Sequence, residues 1–247
     1  MTSPYKPYLG SGQVYARIAG AAVALLAIGN CSMLEPTVKE DKQTMKDFTK
    51  PGGGTYASVS RIDTVSIKLK LHDLNPTNVA RAIFGSEAVV AGASVVAEVG
   101  IAYKGGLMPL AHINPTAVVV TNSAATTTYL AGRDYDVVGG GLLISDAATG
   151  TITNAQSLKV SYTFAEYTKV EAMTTGAVVL ELHFEGLNEA DSGKPVILDV
   201  YRAQLSPTKA LSLLGDKFSD LDVEAEVLKD PTKGGSGISQ YMRVKMA

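Results

Sequence analysis

Three carboxylates, Asp222, Glu224 and Glu226, occupy alternate positions of LDVEAEV, and Glu181 and Glu185 flank His183 with the same spacing in LELHFE. Paired acids can transfer protons or cleave glycosides, and a histidine between two carboxylates is raw material for a metal site. In both segments the intervening residues are apolar: Leu221, Val223, Ala225 and Val227 in one, Leu180, Leu182 and Phe184 in the other. That is the period of a β-strand, whose side chains change face at every residue. Alternate residues then stand about 7 Å apart on one face. Without partners from another strand they cannot converge on one ion or one scissile bond. Both sets therefore predict a charged, solvated strand face. His72 and His112 have no companions at all.

The glycine runs 52–54, 139–141 and 234–237 lack the Lys-Ser/Thr pair of a phosphate loop and predict turns. No Gly-x-Ser-x-Gly elbow, zinc helix or Cys-x-x-Cys is present, and the one cysteine, Cys31, has no nearby base. The expectation is a protein that is not an enzyme, with no cofactor, no metal and no catalytic residue. In YLAGRDYDVV, Tyr135 and Val137 are expected to pack while Asp134 and Asp136 face water.

The elements that carry these faces are strands in a chain of ordinary globular composition. Its 247 residues are 46% hydrophobic and 19% charged, too apolar for disorder. With 24 acids against 22 lysines and arginines the net charge is −2, which excludes a grip on nucleic acid or an anionic membrane through counterion release. A lone cysteine precludes an internal disulfide and fits a reducing compartment. The apolar run from Ala16 to Gly29, followed by Asn30-Cys31, offers an alternative: an exported bacterial lipoprotein or adhesin-like β-sandwich anchored at Cys31. Lipoprotein processing needs a small residue where Asn30 stands, and the run falls short of the roughly 20 residues that span a bilayer. A buried strand pair, 14–22 and 24–28, is the stronger expectation.

After 31–36 comes a polar, charge-alternating stretch, 38–50, and the cluster Pro51 to Gly54, together predicting a long hairpin connection. A strand is expected over 55–72, with Val65, Ile67, Leu69 and Leu71 inside. Asn75-Pro76 then caps and opens the only helix, whose apolar stripe is Val79, Ala82 and Ile83 and whose end is Gly85. From 89 to 174 the composition shifts to Ala, Thr, Val and Gly, which predicts an inserted small β domain. Strands are expected in it at 117–121, 129–138, 142–145, 150–153 and 158–164. The main domain, 1–88 and 175–247, resumes with strands at 177–185 and 194–205. A turn or single helical turn follows at 206–214, then strands at 220–228 and 238–246. One such subunit is not expected to shelter Ile67, Leu182, Val200 and Val223 together, which predicts an open sheet completed by other copies.

In the order and spacing of its elements, GSGQVYARIAGA, LLAIGNCSMLEP, VSIKLKLHDL, NPTNVARAIFG and the run from Leu182 to Asp230, the chain resembles the major tail tube proteins of long-tailed phages, which are similar to type VI secretion tube proteins. The resemblance implies two packed antiparallel sheets (a tail-tube β-barrel or sandwich) with one flanking helix, the inserted β domain facing outward. It further implies a siphovirus virion protein, assembled in the host cytoplasm, whose copies form homohexameric rings stacked head to tail into a tail tube for DNA ejection. Implied partners are other copies of itself, the tape measure protein and genomic DNA in the lumen, and tail terminator and distal tail proteins at the ends, with no membrane. Asp222, Glu224, Glu226, Glu181 and Glu185 become candidates for a negative luminal wall that repels phosphates over about 10 Å. The loop between rings is expected from Lys39, Glu40, Asp41, Lys42, Lys46, Asp47, Lys50, Gly52, Gly53, Gly54 and Tyr56.

Overall fold

A computed structural model describes residues 6–247. In chain order the elements are β1 (Gly10–Ile18), β2 (Leu26–Ala27), β3 (Cys31–Lys46), β4 (Thr55–Leu71), α1 (Pro76–Ala82), β5 (Ser86–Val90), β6 (Ala93–Ala102), β7 (Leu107–Pro109), β8 (Thr116–Asn122) and β9 (Thr128–Tyr129). They continue with β10 (Tyr135–Val138), β11 (Gly141–Ile144), β12 (Gln156–Phe164), β13 (Tyr167–Glu171), β14 (Val179–Asn188), β15 (Lys194–Leu205), β16 (Leu221–Val227) and β17 (Met242–Met246). With 53% of residues in strands and 4% helical, the fold is mainly β with a single α-helix among the described residues. The chain forms two compact units, one made of the residues up to Glu87 together with Val170–Ala247, the other of Ala88–Lys169.

The first unit is built on one eight-stranded antiparallel sheet in the order β2-β1-β14-β15-β16-β4-β3, with β17 also on β15. Its two margins, β2 and β3, are separated in sequence only by Ile28, Gly29 and Asn30. So few residues reach no further than about 14 Å, so the sheet must roll until its margins meet. The corner is fastened by Ile28 N donating to Val14 O (3.0 Å), His72 N to Asn30 O (2.9 Å) and Asn30 N to Asp73 Oδ2 (2.8 Å). Gly29 has φ +94°, and a Cβ there would strike Asp73, so the corner needs glycine.

Rolling brings the inward residues of β1, β4, β14, β15 and β16 into one core. Ile67, Leu182, Val200 and Val223 are 0%, 3%, 1% and 6% exposed, so a single chain does shelter them, contrary to expectation. Each such side chain contributes about 1.5–3 kcal/mol by burial. The two layers are two halves of one rolled sheet. The other side of β15 is shared: Val196–Val200 pairs with β17 and Ala203–Leu205 with β16.

In α1 the Asn75 side chain accepts from Asn78 N (2.8 Å), as a cap should. The inward row is Asn78, Ala80 and Ala82 rather than Val79, Ala82 and Ile83. Asn78 turns inward because its amide donates to Ile28 O (2.8 Å) and Asp73 O (3.0 Å), tying the helix to the corner.

Several boundaries differ from the sequence expectation. β1 begins at Gly10, where it pairs with Asn188, and β2 is only two residues long. Of the stretch 38–50 only residues 47–50 are loop: through Lys46 it continues β3 in ladder with β4. Residues 206–214 have no helical turn, Thr208 Oγ1 instead donating to Ala210 O (2.9 Å) and Asp222 O (3.0 Å). The last strand starts at Met242 instead of 238.

The second unit has a four-stranded sheet, β6-β12-β8-β9, and a three-stranded one, β10-β11-β7. Met108, Val120, Tyr135, Leu142, Ile144, Leu158 and Val160 from both sheets share one core, making a small sandwich. The expected strand 129–138 is broken by a turn at Leu130–Asp134, and 150–153 is not a strand. The unit ends at Lys169 rather than at 174; Met173 N and Thr175 N bond to Ile83 O (3.1 Å) and Phe84 O (2.9 Å) of the first unit.

Candidate interaction site

The outer halves of β3 and β4 form an arm. Every residue of β3 from Glu35 on, and of β4 from Thr55 through Thr64, is exposed. Ten residues of strand extend roughly 30 Å. Along this length β4 has lost its other neighbour, because β16 pairs only with Ser66–Leu71, and β3 is the margin of the sheet. Among the described residues, both edges of the arm therefore present free backbone amides and carbonyls. Cross-strand pairing puts Asp41, Gln43 and Met45 with Arg61, Val59 and Ala57 on one face, and Glu40, Lys42 and Thr44 with Ile62, Ser60 and Ser58 on the other. Lys39–Asp63 (2.8 Å) and Ser60–Glu40 (2.7 Å) bridge the strands.

At the tip, Asp47 Oδ1 accepts from Thr49 N (2.8 Å) and Thr49 Oγ1 (2.6 Å), bonds that hold its carboxyl below the usual range. Gly52, Gly53 and Gly54 follow with φ +108°, +67° and +144°, values open to glycine. Of the expected inter-ring loop residues, Lys39, Glu40, Asp41, Lys42 and Lys46 thus lie in β3 and Tyr56 in β4. Only Asp47, Lys50, Gly52, Gly53 and Gly54 belong to the connecting turn. The arm also carries apolar side chains that no periodicity in the sequence marks: Phe48 is 87% and Tyr56 67% exposed, and Met45, Val59 and Ile62 are bare as well.

The candidate acids lie on outward faces, but not as a negative strip. Asp222 stands opposite Lys70 and Glu224 opposite Lys68 in the β16–β4 ladder. Lys70 Nζ reaches Asp220 (2.9 Å) and Asp222 (3.4 Å), and Glu224 meets Lys68 (3.8 Å) and Lys209 (3.4 Å). The Lys70 ammonium is raised first by its bond to Asp220 and then by Asp222. Glu226, opposite Ser66, is exposed. The expected negative wall is here a ladder of mixed sign, because β4 places a lysine across from two of the three acids.

On β14, Glu181 is bonded to Arg17 Nε (2.8 Å) and Glu185 is exposed. His183 Nδ1 lies 2.7 Å from Asp199 Oδ1, whose other oxygen takes Lys245 Nζ (2.8 Å). Burial raises the Asp199 carboxyl, but the bonds from Lys245 and His183 outweigh it and leave it below the ordinary range. Among the described residues no group of three or more His, Cys, Asp or Glu is placed to hold a metal. No helix of the described residues is long and apolar enough to cross a membrane.

Cys31 is half-buried in β3 opposite Leu71, its Sγ donating to Met33 O (2.9 Å), and burial pushes the thiol up. Processing at Cys31 would remove β1, β2 and the link residue Ile28, and with them Val14, Ala16 and Ile28 of the core. That counts against the lipid-anchor alternative.

In the second unit Asp134, expected in water, is 0% exposed. It accepts from Leu130 N (2.8 Å), Thr151 N (2.7 Å), Thr151 Oγ1 (2.9 Å) and Arg133 Nη2 (2.7 Å). Burial alone would raise its carboxyl; the Arg133, Leu130 and Thr151 donors reverse this and hold it well below the usual range. The ring of His112 stacks on Phe164 at 3.8 Å. Nearby, Tyr162 donates to Glu98 (2.6 Å), and burial followed by that carboxylate pushes its phenol up to about 12.

These features define a mainly-β protein in which a compact rolled sheet carries a bare two-stranded arm and encloses in its sequence a second β unit. The chain belongs to the family described as "Protein of unknown function UCP028589", whose profile matches residues 7–245. No curated protein matches it.

Proposed function

We propose that this chain is a structural subunit that assembles with copies of itself, and that the assembly is a phage tail tube of stacked hexameric rings conducting DNA. The observation that carries the assembly reading is the arm. A two-stranded ribbon with water on both faces is at best marginally stable alone, and free edges of this length are templates for pairing with another chain. Its apolar residues Met45, Phe48, Tyr56, Val59 and Ile62 add surface that gains by being covered. The core of the first unit is complete without a partner, so the arm is the segment that contact with another copy would order. Tube, ring number and the further partners come from the family resemblance: tape measure protein and DNA inside, terminator and distal tail proteins at the ends. A luminal face of paired lysines and acids would neither grip nor strongly repel a passing phosphate backbone, which suits a conduit.

The test is negative-stain microscopy and sedimentation of the concentrated full chain, beside a variant in which 38–64 is replaced by a two-residue turn. Rings or hollow rods are expected from the parent, and folded monomers from the variant with an unchanged unfolding midpoint, since the deletion removes almost no buried residue. A parent that stays monomeric at high concentration refutes assembly, and rods from the armless variant refute the role given to the arm.

A further inference from the structure

On the outer face of the first unit, where β1, β14 and β15 meet the loop after β16, a cleft of about 360 Å³ is lined by Arg17, Glu181, Tyr201, Arg202, Asp230 and Lys233, among others. The two acids are engaged in its wall: Glu181 takes Arg17 Nε (2.8 Å), and Asp230 Oδ1 accepts from Thr232 N (3.0 Å) and Thr232 Oγ1 (2.7 Å). Arg202 and Lys233 are different. Neither side chain makes an ion pair or hydrogen bond among the described residues, and Lys233 Nζ rests 5.3 Å above the ring of Tyr201. The phenol oxygen of Tyr201 is shielded from solvent and has no hydrogen-bond partner among the described residues. A buried hydroxyl left unpaired is unfavourable, and the two cations beside it act on Asp230 only through space, helping the Thr232 bonds to hold its carboxyl below the ordinary range while their donors stay unused.

We infer that this cleft is a receptor for one carboxylate group. The Arg202 guanidinium supplies a planar fork of donors, the Tyr201 hydroxyl a further donor, and Lys233, itself exposed, swings from the ring to add its charge. The charge balance selects the ligand class: three cations against two acids leave a surplus of one, which matches a carboxylate, whereas a phosphate dianion would face Glu181 and Asp230 uncompensated. The carboxylate has two possible sources, a small free acid or an acidic side chain of a second copy.

The experiment uses the full chain with Tyr201→Phe and Lys233→Ala as variants. Its two readouts are the shift of the unfolding midpoint by sodium acetate against sodium chloride at equal ionic strength, and self-association by sedimentation. Acetate is expected to raise the parent's midpoint, with at least about tenfold weaker binding in each variant, the loss that follows from one charge-assisted hydrogen bond. A parent blind to acetate whose association weakens about tenfold in both variants assigns the carboxylate to a second copy. Tyr201→Phe without ligand is expected to be no less stable than the parent. The inference is overturned if neither acetate response nor association changes in the variants, or if Tyr201→Phe destabilises the free chain as the loss of a made hydrogen bond would. The acetate arm reads the cleft in a monomer, so it stands whether or not the chain forms tubes.

Discussion

Replacing Asp134 with alanine should unfasten the second unit. The carboxylate is wholly buried and holds two backbone amides, Leu130 N and Thr151 N, with the Thr151 hydroxyl and the Arg133 guanidinium. Each amide that loses a charged acceptor costs about 1.5–3 kcal/mol, so the pair alone gives about 3–6 kcal/mol. Arg133, its side chain 43% exposed, recovers hydration and adds little. For a domain of this size each kcal/mol moves the midpoint by about 4–8 °C, so a drop of at least about 12 °C is expected for the unit. Scanning calorimetry gives the midpoint, and hydrogen exchange of amides within 88–169 locates the loss. The sign of the pH dependence follows from the depressed carboxyl. Its stabilising contribution is complete above the ordinary carboxyl value near 4 and is lost as pH falls through the lower folded value. The gap between parent and variant should thus be constant from pH 7 to about 5 and narrow only below about 4. A variant within about 1 kcal/mol of the parent, or a gap already closing at pH 6, would refute the assignment.

Gly186 lies directly across from Gly12 with the Phe184 ring laid against it, and an added Cβ would overlap that ring and sit 2.8 Å from Ser11 O. Gly186→Ala should therefore cost about 1–3 kcal/mol, seen as a lower urea midpoint with an unchanged slope. Lys70→Glu places a third acid against Asp220 and Asp222. Its melting point should fall at low salt and largely recover in about 1 M NaCl, where screening acts within about 3 Å; a salt-independent loss would show that packing, not charge, was removed.

Alternation made the core strands of the first unit legible. Val65–Leu71, Leu180–Leu182 and Leu221–Val227 each have one face in water and one in the core, which is what a two-residue period records. The same logic hid the arm. Residues 38–46 have water on both faces, so no apolar alternation marks them, and only their ladder partner, 55–65, makes them a strand. The capped start of α1 was legible because Asn75 acts on its own neighbours, whereas the inward turn of Asn78 depends on carbonyls at Ile28 and Asp73 that sequence cannot place beside it. Asp134 escaped for the same reason: its partner Thr151 is distant in the chain, and an acid in an alternating run reads as solvated. The mixed charge of the β16 face required the register that sets Lys68 and Lys70 opposite Glu224 and Asp222.

The short link 28–30 has a consequence for how the shell holds together. A rolled sheet whose far margins depended on distant segments would open whenever that long-range contact failed. Here the margins are leashed by neighbours in sequence, so each finds the other at high effective concentration and reclosure costs little loop entropy. Cutting the chain at Gly29 would turn this tether into two loose ends. The fold would then keep every ladder it has, yet its curl would rest on side-chain packing and Asn78 alone.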